Sequence, residues 1–308
     1  MKLKGITWIL ALALACTVAC EREETLTPSA PENIYGDPTL PQGDHPYDAT
    51  ILDWFAKYNT LFLYKYVPHD LYFNATRWLG GTYDPVRDTT FAGFNAQNHT
   101  GYFDVPADER YVGEQLSLIR EVLLDFYPEA YLKQCLPKKI FLLDSIYWST
   151  SKKGKPLVNL CQTFTGGDFI AISWGAARVQ TITTAEKALL RDSLNGAFIS
   201  VAINRGGATR PAAFEAISNY SDPNIFTRYN ELGILDPWVR DAAADWRFFL
   251  KTIVSTSRQT LNAAAGTKNF LHPSFDVNGL VRRKYDVVID YFMQEHGIDL
   301  QAIGDAEF

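Results

Sequence analysis

Histidine is scarce in this sequence, and no two histidines lie close together. There are five in 308 residues, and His45 and His69, one of the two closest pairs, are many helical turns apart. A zinc site of the H-E-x-x-H type needs two imidazoles one turn apart on a helix, with a glutamate beside the bound water. The sequence contains no such motif. A metal site assembled from distant histidines, such as His69, His99 or His272, stays open as an alternative.

An excess of positive charge is also lacking. The chain has 29 Lys and Arg against 35 Asp and Glu, which gives a formal net charge of −6. A chain this acidic has no electrostatic reason to coat a nucleic acid, so a general DNA- or RNA-binding function is excluded. A phosphate-binding glycine loop is missing too, because Gly166-Gly167 and Gly206-Gly207 have neither the spacing nor the lysine of such loops.

Nucleophilic residues in a recognisable setting are few. The segment Ala171-Ile172-Ser173-Trp174-Gly175 differs from the G-x-S-x-G motif only at its first position. In proteins with that motif, a helix starts directly after the serine and further parallel strands follow downstream. Here the sequence after Ser173 is mainly helical, so those further strands are missing. We therefore interpret Ser173 as the end of a strand. Cys135 and Cys161 carry no thiol-protease signature, and a disulfide between them and two buried thiols both stay open.

Long apolar runs are confined to the start of the chain. Lys2 and Lys4 precede an apolar run over residues 6–15, which is typical of a secretory signal and too short for a stable membrane span. The following Thr17-Val18-Ala19-Cys20 resembles a bacterial lipobox. It predicts that residues 1–19 are removed and that Cys20 carries a lipid, the alternative being an ordinary cleaved signal. The mostly acidic segment Glu21-Arg22-Glu23-Glu24 resembles the surface-export signal of some Gram-negative lipoproteins.

The next stretch, residues 20–49, is polar and shows no apolar period. It holds five of the 15 prolines and is predicted to be an extended tether. No second linker of this kind follows, so residues 50–308 are predicted to form a single domain.

Strand-like segments come before helical ones in the predicted domain. Apolar runs near residues 60–66, 139–145, 157–162 and 169–174 predict strands. Helical periodicity follows over residues 184–203, 242–257 and 281–295, and Thr183 and Glu186 form a capping box for the first of these helices. This order predicts an α+β fold with a small N-terminal sheet, a buried central helix and a helical C-terminal part.

Residues 74–106 are rich in Gly, Asn, Asp and Thr and are predicted to be a long surface excursion. Its aromatic residues are candidates for stacking on sugars or peptides, or for holding the excursion onto the body of the domain. They are Trp78, Tyr83, Phe91, Phe94, Tyr102 and Phe103.

Four segments carry a resemblance to a known family. They are residues 52–59, the Pro-Lys strand at 137–145, residues 210–220, and the most specific one, residues 281–300. Together they resemble the zinc metallohydrolase or metallopeptidase-like lipoproteins that Gram-negative bacteria encode beside TonB-dependent importers. The resemblance covers most of the mature chain and implies a zincin-like fold.

The resemblance also implies where the family's metal site would be. Its metal helix falls on residues 195–204, with the two ligand positions on Gly196 and Ser200, the general-base position on Ala197, and a later acidic position on Phe248. Glycine and alanine have no side chain that binds a metal, and a neutral serine hydroxyl is a poor zinc ligand. The chain is therefore expected to have no catalytic residue and no metal or cofactor at this site. Small residues here predict a tightly packed interior.

Two polar residues on the same helix need a separate interpretation. Asp192 and Asn195 are three positions apart and are suited to a hard cation or to a polar helix edge, and we favour the edge.

The function implied by these features is that of an outer-membrane lipoprotein, on the cell surface or the periplasmic face. It would carry an inactive metallopeptidase-like domain and act as a binding or accessory component of substrate import. Expected partners are the outer membrane, a TonB-dependent receptor complex, and an oligosaccharide or peptide ligand. The alternative is an active zinc metallohydrolase that uses an unconventional metal site.

Overall fold

A mixed sheet and ten helices make up the described part of the protein, and three of the helices come before the third strand. The structure is a computed structural model, and it describes residues 39–66, 71, 101–152 and 155–308. The strands are β1 Leu61–Leu63, β2 Gly101–Pro106, β3 Lys139–Lys152, β4 Lys155–Cys161, β5 Thr163–Gly166 and β6 Phe169–Ile172. The helices are α1 Asp48–Tyr58, α2 Val112–Val122, α3 Glu129–Cys135, α4 Thr184–Asn204, α5 Ala212–Glu215, α6 Ile225–Arg228, α7 Ala242–Val254, α8 Arg258–Leu261, α9 Leu280–His296 and α10 Leu300–Asp305. The predicted α+β class is confirmed.

Strand β3 organises the sheet because it pairs with different neighbours along its length. Its first half lies between β1 and β6 and is parallel to both, with Ile140 opposite Phe62 and Ile170. Its second half lies between β2 and β4 and is antiparallel to both. Strand β5 pairs antiparallel with β6 and ends the strand order β1-β3-β6-β5.

The two faces of the sheet bury different side chains, because neighbouring residues of a strand point to opposite faces. Ile140 and Leu142 join the main core, which also contains the buried faces of α2, α4, α7 and α9. Phe141 and Leu143 point the other way and join a smaller cluster with Leu63 and others. The main core therefore lies between the sheet and the helices.

Helix α4 runs through this core, as the sequence predicts. Thr183 and Glu186 form the predicted capping box, in which each side chain satisfies a backbone N–H of the other residue. Leu194 and Phe198 are fully buried on the face that points into the core. The helix ends at Asn204, just before Gly206 and Gly207.

Some predicted boundaries in the sheet need correction. Residues 101–106, assigned to a surface excursion, form β2 and pair with the second half of β3. The ring of Tyr102 accordingly packs at a tilt against those of Trp148 and Phe164, with centroids 4.6 and 4.5 Å away, and Tyr102 is part of the sheet. The strand predicted over residues 60–66 is shorter, because only Leu61–Leu63 pair with β3. Residues 72–100, which carry most of the aromatic candidates, lie outside the described residues.

Residues 39–49, assigned to the tether, pack against the folded domain. The Gln42 side-chain oxygen accepts a hydrogen bond of 2.8 Å from the backbone N–H of Tyr64, and the Tyr64 hydroxyl donates to Asp48 over 3.1 Å. Helix α1 already begins at Asp48. The predicted tether boundary at Ala49 therefore lies too late in the chain. The signal segment and Cys20 lie outside the described residues.

A buried ion pair links α7 to α9. The side chains of Asp245 and Lys284 are fully buried and bonded to each other. The Tyr220 hydroxyl donates to Asp245 over 2.7 Å and accepts from the Lys284 ammonium over 2.9 Å. The rings of Phe214 and Phe249 lie against the ammonium, at 4.8 and 5.5 Å from their centroids. Burial raises the pKa of Asp245 and lowers that of Lys284, which disfavours the charged form of both groups. Each group is stabilised in its charged form by the opposite charge of its partner.

Candidate functional site

A cleft of about 320 Å³ opens between helix α4, strand β5 and the C-terminal end of helix α7. Its walls are mostly small or hydroxyl-bearing residues, with one carboxylate and one ammonium group. They are Thr163 and Thr165 from β5, Asp192, Ser193, Gly196, Ala197 and Ser200 from α4, Lys251 from α7, and Ser255 directly after α7.

The three positions that the resemblance assigns to metal chemistry on α4 meet in this cleft. Gly196, Ala197 and Ser200 are half-buried and share one face, because residues one turn apart lie above one another. A Cβ atom added to Gly196 would meet no atom within 4 Å apart from its chain neighbours and the nearby backbone of its own helix. The expectation of a tightly packed interior is therefore wrong, since this face of α4 borders an open cleft.

The hydroxyl of Ser200 is satisfied within its own helix. It donates a hydrogen bond of 2.9 Å to the carbonyl oxygen of Gly196, one turn earlier. Serine hydroxyls commonly bond back to the helix in this way, and the contact needs no ligand or metal.

Phe248, the fourth position, does not line the cleft. Its ring packs against both the main core and the small cluster around Ile225, Ile234 and Val239. Lys251, one turn further along α7, lies at the cleft in its place. The structure thus brings three of the four assigned positions together and leaves the fourth in an apolar contact.

Helices α4 and α7 pack in opposite directions. Ser255, at the end of α7, borders a second cavity of about 540 Å³ together with Thr184 and Arg191 from the first half of α4. Trp246, near the start of α7, donates from its indole nitrogen to the carbonyl oxygen of Ala208, beyond the end of α4, over 3.0 Å. This packing places the last turn of α7 beside the middle of α4, at the cleft.

The carboxylate of Asp192 already has a strong partner. One of its oxygens accepts hydrogen bonds of 2.6 and 2.9 Å from the guanidinium of Arg191, which is almost fully buried. Burial raises the pKa of Asp192, and Arg191 partly offsets this effect. Asp192 therefore adds little net negative charge to the cleft.

The ammonium of Lys251 carries the cleft's uncompensated charge. Although Lys251 keeps solvent exposure, its pKa lies below the ordinary value because its surroundings remove water, and because Arg247 repels the charged form. No carboxylate among the described residues lies within ion-pair distance of it.

The donor atoms around this cleft do not suit zinc. Zinc sites in proteins use thiolates, imidazoles and carboxylates, whereas the cleft offers neutral hydroxyls, one carboxylate held by arginine, and a repelling ammonium. Within residues 39–66, 71, 101–152 and 155–308, no three His, Cys, Asp or Glu side chains come together as a metal site. The residues present therefore do not fit the metal that the resemblance implies.

The histidines of the described residues lie apart and in separate settings. His45 bonds Glu109 over 2.9 Å, and His272 contacts Ser274 within a turn. His296 lies at the end of α9 against the ring of Tyr131, and burial lowers its pKa. His69 and His99 lie outside the described residues.

The remaining chemical candidates have structural roles. Ser173 is fully buried, and its hydroxyl donates to the carbonyl oxygen of Cys161 over 2.7 Å. Cys135 is buried, Cys161 is half-buried, and both are free thiols. Neither arrangement presents a nucleophile in a cleft.

Asn195 is not part of a polar helix edge. It is fully buried, where its amide donates to the carbonyl oxygen of Val122 in α2 over 2.8 Å and its oxygen accepts from the Tyr127 hydroxyl over 2.9 Å. The side chain therefore ties α4 to its neighbours, a role that the sequence did not indicate.

Several residues of the cleft were missed by sequence reasoning. Lys251 lies on the polar side of an amphipathic helix, where solvated lysines are common, and Thr163 and Thr165 look like ordinary strand residues. The only signal was indirect, since the resemblance marked the helix that these residues face.

Comparisons with known proteins give one structural similarity. No protein-family model matches the sequence, and no curated protein does. The chain is similar to the crystal structure of "a putative zinc-binding metallo-peptidase from Bacteroides caccae ATCC 43185", with 12% identity over 88% of this chain and 92% of that chain, and a TM-score of 0.49. A similarity at this level assigns no function to the chain. No helix in the described part is both long and apolar enough to cross a membrane.

Proposed function

We propose that this chain is a lipid-anchored outer-membrane protein whose metallopeptidase-like, zincin-like domain binds a ligand in the α4–β5 cleft without hydrolysing it. In this proposal the protein serves substrate import as a binding or accessory component. The lipid anchor at Cys20 and the association with a TonB-dependent receptor complex come from the sequence resemblance alone.

One observation carries the proposal. Gly196, Ala197 and Ser200 lie together on a solvent-accessible cleft, yet none of them can activate water, and Lys251 adds a positive charge that opposes a divalent cation. A site that had simply been discarded would be expected to fill with core side chains. An open, polar cleft supports retained binding.

The proposal is tested by a hydrolysis screen on the purified protein. Peptide and glycoside substrates are incubated with the protein as isolated, with added zinc, and after chelator treatment, and products are measured by mass spectrometry. We expect no product above the buffer background under any of the three conditions, because Gly196, Ala197 and Ser200 occupy the positions assigned to the metal ligands and the general base.

A cleft-blocked variant controls for contaminating hydrolases. Gly196→Leu places a side chain into the open space above α4 while retaining a helix-compatible residue. Turnover that chelator abolishes and that Gly196→Leu also removes would refute the proposal and establish the active metallohydrolase instead.

A further inference from the structure

The α4–β5 cleft contains a cation that no described carboxylate neutralises. Lys251 lines the cleft beside α4, and Arg247, one turn earlier on α7, repels its charged form. A negatively charged ligand group would offset the repulsion between the two cations and replace hydrogen bonds to water that the lysine lacks in the cleft. The cleft is therefore set up for an anion.

Hydroxyl groups around Lys251 have hydrogen-bonding capacity to spare. Thr163 and Ser193 bond each other at 2.7 Å, which uses the hydrogen of one hydroxyl and leaves that of the other. Thr165 and Ser255 make no side-chain hydrogen bond to any described residue. These groups supply donors for the oxygen atoms of a bound ligand.

The space needed by such a ligand lies over Gly196. Apart from its chain neighbours and the nearby backbone of α4 itself, no atom lies within 4 Å of where its Cβ would be. Asp192, one turn earlier, does not oppose an anion there because Arg191 compensates its charge. Gly196 and Lys251 line the same cleft of about 320 Å³, which has room for a carboxylate.

The free edge of strand β5 indicates which class of ligand bears the carboxylate. In the described part of the sheet it pairs only with β6. Because the backbone N–H of Ser173 bonds the carbonyl oxygen of Gln162 and bonded residues alternate along an antiparallel pair, the backbone groups of Thr163 and Thr165 face the other edge. Thr163 and Thr165, alternate residues of this strand, line the cleft. An extended peptide can pair with such an edge through its own backbone, which a ligand without amide groups cannot do in the same register.

We propose that the cleft binds the C-terminal carboxylate of an extended peptide, with Lys251 as its ion-pair partner and the cleft hydroxyls as hydrogen-bond donors. This inference rests on the proposed function, since it names the ligand class for the same cleft. It assigns to Lys251 a binding role that does not involve bond cleavage.

The test begins with an array of acetylated hexapeptides displayed with free C-termini. The strongest binder is then synthesised as the free acid and as the C-terminal amide, and both are titrated calorimetrically into the full-length protein. We expect the acid to bind about tenfold or more tightly than the amide, because a charge-assisted hydrogen bond is lost in the amide.

Variants at Lys251 identify the partner of the carboxylate. Lys251→Met is expected to lower the affinity for the acid to that of the amide and to leave the affinity for the amide unchanged, while Lys251→Arg keeps the preference. Lys133→Met, which removes an exposed lysine of α3 that does not line the cleft, is the matched control and is expected to change neither affinity. Thermal unfolding of each variant verifies that it is folded.

The outcomes separate this inference from the proposed function. Equal affinity for acid and amide, an undiminished preference in Lys251→Met, or no binder on the array would overturn the inference. Cleavage of the titrated peptide would instead overturn the proposed function, and mass spectrometry of the titrated sample detects it.

Discussion

Lys284→Met is expected to lower the free energy of unfolding by about 3–5 kcal/mol, the cost of leaving a buried charge without its partner. The substitution removes the ammonium that neutralises Asp245, whose side chain is fully buried between α7 and α9. The Tyr220 hydroxyl alone would then face the carboxylate. Urea unfolding followed by circular dichroism measures the loss.

The pH dependence of this loss has a definite sign. Burial already raises the pKa of Asp245, and removing Lys284 raises it further. A carboxyl with a raised folded-state pKa costs stability above that pKa, and the cost falls as pH drops toward the unfolded value of about 4. The deficit of the variant relative to the wild type is therefore expected to shrink between neutral pH and about pH 4.

Two further variants identify the buried charge as the cause. Arg283→Met changes an exposed neighbour on the same helix and is expected to have little effect. The combination Tyr220→Phe, Asp245→Leu and Lys284→Met removes the whole polar group and is expected to recover most of the lost stability. A Lys284→Met protein as stable as the wild type would show that the ion pair is not required.

Restoring metal-binding side chains to α4 is expected to create a zinc site. The variant carries Gly196→His, Ala197→Glu and Ser200→His, together with Lys251→Glu, which replaces the repelling ammonium by a third ligand. The two imidazoles would stand one turn apart on the face that borders the cleft, and a side chain at position 196 meets no obstacle there. Zinc at about 100 times its Kd is expected to raise Tm by about 5–10 °C.

The control for this experiment has the same two glutamates but alanine at positions 196 and 200. It is expected to show no comparable rise in Tm with zinc, as is the wild type. If the restored variant behaves like this control, the cleft lacks the geometry of a metal helix, and the resemblance of α4 to one is wrong.

The main elements of the fold could be predicted from local patterns. The capping box of Thr183 and Glu186 and the glycines after Asn204 mark both ends of α4, and apolar periodicity marks α7 and α9. Strand β2 was missed because Gly101–Pro106 follows a Gly- and Asn-rich segment, and its strand character depends on pairing with β3. Long-range pairing of this kind leaves little trace in a local window.

The candidate site could be predicted only in part. The resemblance located Gly196, Ala197 and Ser200, which the structure brings together, but small residues at a helix face fit an open cleft as well as a packed core. Lys251 looks like a solvated lysine, and Lys284 sits in a basic run that suggests an exposed face. Their environments are set by helices and strands that are distant in sequence, which residue types and spacing do not specify.

The zinc content of the purified protein is the most direct test of whether the α4–β5 cleft works without a metal. Protein prepared without chelator is analysed by inductively coupled plasma mass spectrometry, before and after dialysis against zinc. Because the cleft offers hydroxyls and an ammonium in place of imidazoles, the expected result is far less than one zinc atom per chain in both samples. One tightly held zinc atom per chain, lost together with thermal stability when chelator is added, would contradict it.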